Sequence, residues 1–194
     1  GKYQNLPSKD SCIATTPGFY SGSGATAPVP CNVGKYAGFT GMTSCQSCDS
    51  GKYAWRTGMA SCLSCSAGRY APNPGATTCQ NCTEGYISTV AASECTACQP
   101  GSYENGLSSA CIPCMNGTYA AGLGNTECTD CAAGKISFKS SISDGLGPAI
   151  CTACPVGYYQ ATTGQSVCTG CPVNTYAPNL ASTACTQCEV GKRT

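Results

Sequence analysis

The stretch CDSGKYAWRTGMASCLSC, Cys48 to Cys65, reads C-x-x-G-x-Y, then a short polar run containing a glycine, then C-x-x-C. Its last cysteine opens the next copy of the same pattern. The chain is therefore a continuous array with a period near 17 residues, not a set of domains on linkers. A unit this short cannot bury a sufficient core alone, so each copy must draw stability from cross-links and from its neighbours.

Composition supports that reading. Leu, Ile, Val and Phe together number 22 in 194 residues, a level at which burial does not offset chain entropy. Twenty cysteines and no histidine replace the missing core with a disulfide scaffold, and such scaffolds persist in oxidising compartments. Ten Lys+Arg against nine Asp+Glu leave a formal charge of +1. No run of cations offers a footprint for nucleic acid or an anionic membrane surface. No apolar run is long enough to span a bilayer and no signal-peptide pattern is visible, so membrane insertion is not expected in this segment and any secretion signal is expected upstream.

Residues 1–14 form a partial copy that enters the pattern at Gly1-Lys2-Tyr3. Residues 15–30 form a degenerate copy with Thr15 and Pro28 where cysteines are expected. Six regular copies fill 31–130, a copy with an insert from Ser137 to Gly147 occupies 131–153, two regular copies occupy 154–187, and 188–194 begin another. The third residue after the opening position is Gly18, Gly34, Gly51, Gly68, Gly85, Gly101, Gly117, Gly134, Gly157 and Gly191, with Asn174 the one exception. Asn tolerates positive φ better than other non-glycine residues, so this position is read as a left-handed turn. Two residues later stands an aromatic or isoleucine, Tyr53 in the opening stretch, and stacking of these side chains from copy to copy, alongside the cystines, is expected to form the small core. No helical periodicity is present and Gly, Pro, Ser and Thr interrupt every window. The expected fold is small, disulfide-rich and mostly irregular with short β-hairpins and no helices of note, arranged as an elongated rod.

Nine C-x-x-C motifs allow three chemistries. A thioredoxin-type dithiol needs a helix N-terminus in a βαβ setting, which is absent. Four-thiolate zinc sites would need the motifs in pairs, but nine cannot be paired, Cys12 and Cys31 would be left single, and each site would add net negative charge. The third possibility joins the opening cysteine of each copy to the first cysteine of the following C-x-x-C. The degenerate copy favours it, because losing Thr15 and Pro28 as cysteines then removes one whole bond, whereas bonds within C-x-x-C would strand Cys12 and Cys31. The expected pairs are Cys31–Cys45, Cys48–Cys62, Cys65–Cys79, Cys82–Cys95, Cys98–Cys111, Cys114–Cys128, Cys131–Cys151, Cys154–Cys168 and Cys171–Cys185, with Cys12 and Cys188 pairing outside the segment. Leu63 and Ser64 are then read only as the joint between two loops. Each closed loop contributes roughly 3 kcal/mol in the chain-entropy model.

The pattern C-x-x-G-x-Y…G…C-x-x-C resembles the growth-factor-receptor cysteine-rich superfamily, specifically ephrin-receptor-like tandem repeats, and is similar to the first loop of tumour-necrosis-factor-receptor modules. The resemblance spans essentially the whole chain. It implies a secreted or cell-surface rod of small β-hairpin units with loop-closing disulfides. A long uniform array of this kind is closest to those in surface and filament proteins of protists and algae.

Asn81-Cys82-Thr83 and Asn116-Gly117-Thr118 are N-glycosylation sequons. Trp55, the single tryptophan, is expected to pack against a neighbouring copy. Carboxylates are dispersed, no calcium loop is present, and a Ser-His-Asp site is excluded by the lack of histidine. The expected function is therefore non-enzymatic and without cofactor: an extracellular structural segment of a filament, flagellar hair, cell coat or wall, with a receptor or adhesin stalk as the alternative. Expected partners are neighbouring protein copies in a filament or other surface proteins, together with covalent glycans. The bond-less copy and the insert are the candidate positions for a bend and a lateral contact. Peptide mapping of an unreduced digest is expected to recover the nine cross-links named above; bonds inside C-x-x-C motifs would contradict the scheme.

Overall fold

The computed structural model describes residues 1–7, 10–107, 109–139 and 145–189. Among these residues every regular element is a two-residue strand, twenty-two in all, with no helix. Each strand pairs with the one next to it in sequence, so every sheet is a minimal hairpin. In the copy opening at Cys48, Lys52–Tyr53 runs antiparallel to Leu63–Ser64, with Lys52 opposite Ser64 and Tyr53 opposite Leu63. Leu63 and Ser64 are thus more than a joint: they are the second strand. The Cys48–Cys62 bond, with Cα atoms 5.7 Å apart, brings the returning chain alongside the G-x-Y segment. The two residues between the cysteines of C-x-x-C then pair with it.

The chain divides into two compact units, Gly1–Thr83 with Ile87–Thr96, and Glu84–Tyr86 with Ala97–Thr194. A two-residue hairpin leaves most backbone groups unpaired, and within each unit the next copy satisfies them. Between the copies opening at Cys31 and Cys48, Gly34 N–H donates to Ala54 C=O at 2.8 Å and Ala37 N–H to Met59 C=O at 3.1 Å. Gly58 N–H donates back to Cys31 C=O at 2.8 Å, and Cys48 N–H to Gly34 C=O at 3.0 Å. The same set recurs in the second unit, where Gly101 reaches Ala120, Glu104 reaches Asn125, Gly124 reaches Cys98 and Cys114 reaches Gly101, all at 2.8–2.9 Å.

The turn and loop positions, glycine in most copies, differ in what they require. The turn glycine has positive φ, +79° at Gly51, in agreement with φ of 64° at Asn174. At Gly18, Gly34, Gly51, Gly85, Gly101, Gly117 and Gly134, but not at Gly157, it also lies under the loop of the copy two ahead. A Cβ on Gly34 would overlap the carbonyl oxygen of Gly75, one on Gly51 that of Ala91, and in the second unit one on Gly117 that of Gly164. The loop glycine, such as Gly58 at φ +73°, has only ordinary contacts, the nearest 3.8 Å from the added Cβ. Ala91 and Ala181 occupy this loop position at φ 61° and 58°. Alanine is accepted there because the cost is backbone conformation alone, about 1–2 kcal/mol.

Gly58→Ala is therefore expected to lower stability by about 1–2 kcal/mol. Gly51→Ala, which meets backbone as well, is expected to cost clearly more, and Ala91→Gly to stabilise. Denaturant titration of the oxidised protein, followed by amide exchange in the affected copies, measures the ordering.

Candidate functional site

The feature repeated in every copy is the junction, which we describe from its centre outward. The opening half-cystines are its axis: Cys31, Cys48, Cys65, Cys98, Cys131 and Cys154 are fully buried. Beside them lies the residue after the aromatic, with Ala37, Ala54 and Ala71 fully buried, Ala120 and Ala177 nearly so, and Ser21, Ser88 and Ser137 buried in the same place. Cys48, Ala54 and Met59 form one such cluster, with Tyr36 of the preceding copy and Cys62 packed against it. Cys65, Ala71 and Cys79 form the next, flanked by Tyr53 and Ala76.

The cystines lie in the core as expected, but the expected stack of rings does not form its centre. The tyrosines flank it and stay partly exposed, Tyr176 at 42%. The centre is sulfur plus a methyl-sized residue, because the backbone bonds across the junction bring copies too close for a ring. The signal was visible in the sequence, since Ala or Ser follows the aromatic position in most copies. Gln4, Glu104 and Gln160 are the exceptions, and of these Glu104 is buried in that position.

Disulfides join Cys31–Cys45, Cys48–Cys62, Cys65–Cys79, Cys82–Cys95, Cys98–Cys111, Cys114–Cys128, Cys131–Cys151, Cys154–Cys168 and Cys171–Cys185, with Cα separations of 5.6–5.8 Å. Cys12 and Cys188 are free thiols in this structure. The bond-less copy keeps its place in the stack. Gly18 donates to Ala37 at 2.8 Å, Ser21 to Met42 at 3.1 Å, Gly41 to Thr15 at 2.9 Å and Cys31 to Gly18 at 2.9 Å. Thr15 sits fully buried in the seat of a half-cystine, and its hydroxyl and that of Ser21 have no hydrogen-bond partner. At the insert, Gly147 N–H bonds Gly101 C=O rather than the opening cysteine of copy 114, and Ala120 N–H still reaches Pro148 C=O. Residues 140–144 of the insert, like Gly191, lie outside the described residues.

The remaining singled-out residues lie on the surface. Trp55 is 58% exposed rather than packed between copies, with the Arg56 guanidinium 5.4 Å from its ring, a cation–π contact. Asn81 is exposed and its Oδ1 accepts from Arg69 Nε at 2.8 Å. Asn116 is exposed and its Oδ1 accepts from Lys139 N–H at 3.0 Å. Two equivalent clefts, lined by Tyr20, Lys35 and Ser44 and by Tyr36, Lys52 and Ser61, hold ≈ 190 and ≈ 140 Å³. Both fall below the roughly 300–1,000 Å³ of ligand pockets. Among the described residues no three or more His, Cys, Asp or Glu side chains converge as metal ligands, and no helix is long and apolar enough to cross a membrane.

Residues 101–143 and 141–188 each match the family model described as tyrosine-protein kinase ephrin type A/B receptor-like. The matched segment is thus made of ephrin-receptor-like repeats. Ephrin-receptor-like repeats are a non-catalytic ectodomain type, and their disulfide density suits an extracellular or secreted setting. The copies before residue 101 carry the same sequence pattern, hairpin register and loop-closing bonds. No curated protein matches the chain.

The hairpin register Tyr20↔Val29 in the bond-less copy equals Tyr36↔Gln46 in the next, which puts Thr15 and Pro28 in the positions of Cys31 and Cys45. The double variant Thr15→Cys/Pro28→Cys is therefore expected to oxidise spontaneously and to stabilise this copy by about 3 kcal/mol. Intact mass before and after reduction and alkylation reports the bond, and denaturant titration reports the gain.

Proposed function

We propose that the chain is a non-enzymatic extracellular structural segment, part of a filament, flagellar hair, cell coat or wall, whose task is mechanical. The observation that carries this reading is the junction, where backbone hydrogen bonds, a buried cystine and the contact with the copy two ahead recur with little variation. A pulling force along the chain would meet covalent loops within copies and several hydrogen bonds between them at once. The near-neutral composition, +1 over 194 residues, gives no charge focus for a soluble ligand. Neighbouring copies of the protein, or other surface proteins, are the partners this reading needs.

A second reading, the stalk of a cell-surface receptor or adhesin, is favoured by the receptor description of the matching family. In that case the repeats hold a distant binding domain away from the surface.

Electron microscopy of negatively stained native material separates the two. Filaments with a regular axial repeat that label with an antibody to this chain are expected for the structural role. Label confined to single particles on membrane would support the stalk instead.

A further inference from the structure

We infer that Asn116, and not Asn81, carries an N-linked glycan, and that the first sugars of this glycan cover Met115 and Phe138; the inference rests on the extracellular reading above. Both sequon asparagines are exposed, so exposure of the acceptor alone does not separate them. Their partners do.

Asn81 pairs backward. Its backbone lies opposite Arg69 in the hairpin, its Oδ1 holds Arg69 Nε, and the Cys65–Cys79 bond closes that loop two residues upstream. As a chain enters the secretory lumen from its N-terminus, all of these partners arrive before Thr83. Hairpin and cystine can then form before the sequon is complete, and its central residue Cys82 is itself a half-cystine with Cys95. A glycosyl acceptor must be bound as a flexible extended segment, and this one is already committed.

Asn116 pairs forward. Its copy closes only when Cys128 and the strand Thr129–Asp130 have arrived, and its Oδ1 partner is Lys139. The sequon is therefore complete while its own partners are still to come. The central residue is Gly117, without a side chain, and Thr118 supplies the hydroxyl.

The folded geometry also accommodates the product. Transfer from a lipid-linked diphosphate oligosaccharide forms a bond from Asn116 Nδ2 to the anomeric carbon. The carbon–oxygen bond to the diphosphate breaks, Nδ2 loses one proton, and the lipid diphosphate departs. Oδ1 is untouched, so its bond to Lys139 N–H survives. That bond, with Gly117 N–H donating to Ser137 C=O at 3.0 Å, clamps residues 137–139 beside the turn. It brings together the neighbourhoods of two apolar side chains, Met115 at 81% exposure and Phe138 at 63%. Exposed apolar side chains held next to a glycan attachment point are a surface for the apolar faces of its core sugars.

The test is secretion of the whole chain from a glycosylating eukaryotic host, enzymatic release of N-glycans in oxygen-18 water, and peptide mapping. Isotope-labelled aspartate at 116 and none at 81 is expected, with loss of the glycan mass in Asn116→Gln and also in Thr118→Ala, which keeps the asparagine. Deglycosylated folded protein should bind more of an apolar fluorescent dye than the glycoprotein, and Met115→Ser/Phe138→Ser should abolish that gain. Label at 81, or none at 116, in secreted protein with intact disulfides would overturn the glycan inference and leave the extracellular reading standing. An unchanged dye signal on deglycosylation would overturn the covering of Met115 and Phe138. Recovery of the chain with reduced thiols would remove the extracellular reading and this inference with it.

Discussion

The structure depends on one constraint: a hairpin of two-residue strands leaves its own backbone largely unpaired, so burial is possible only where another copy supplies the partners. The turn glycine shows it most directly. Its N–H is spent on the carbonyl after the aromatic of the next copy, and its C=O accepts from the half-cystine that opens that copy. Cystine and alanine occupy the centre because this ladder sets the distance between copies. Most copies keep Ala or Ser beside the sulfur, and where Glu104 takes that position the ladder still closes, with Glu104 N–H reaching Asn125 C=O at 2.9 Å. The disulfide closes each loop, and the ladder decides where the closed loop sits.

Much of the fold was legible in the sequence, and the reason is repetition. A period near 17 residues, with cysteine at both ends and glycine at a fixed offset, is a pattern of local geometry written many times. Asn174 alone sufficed to identify the left-handed turn, and φ of 64° there and +79° at Gly51 agree with it. Composition likewise implied a disulfide-rich fold of short hairpins without helices. What remained hidden involves contact between distant copies. Nothing in Cys48 to Cys65 announces that Gly51 lies beneath Ala91, because that contact crosses two copies of chain. Leu63 and Ser64 were misread as a joint because C-x-x-C draws attention to its cysteines, and two residues are few to identify as a strand. Trp55 misled in the opposite direction: a large aromatic suggests burial, but the junction has no room for an indole. The alanine axis could have been found by asking which position never carries a ring, a question composition does not raise.

The degenerate copy separates two contributions that coincide elsewhere. With Thr15 in the seat of a half-cystine, the backbone ladder is intact while the covalent bond is missing. Position in the stack is therefore set by hydrogen bonding and close packing, and the disulfide mainly limits the unfolded ensemble. Two buried hydroxyls without partners, on Thr15 and Ser21, are the local cost of that exchange.

The contact between a turn glycine and the loop two copies ahead changes how cooperativity should be counted. Repeat arrays are usually treated as chains of nearest-neighbour couplings, in which one unit can fray while the next but one is unaffected. Here Gly34 with Gly75, and Gly117 with Gly164, add a next-nearest term to that sum. Three consecutive copies are the smallest block in which every kind of contact occurs. Gene duplication or loss of a single copy then rewrites pairings on both sides of the edit, so a workable edit demands loops that are interchangeable across copies. The near-identity of turn and loop glycines along the chain is the mark such a requirement would leave.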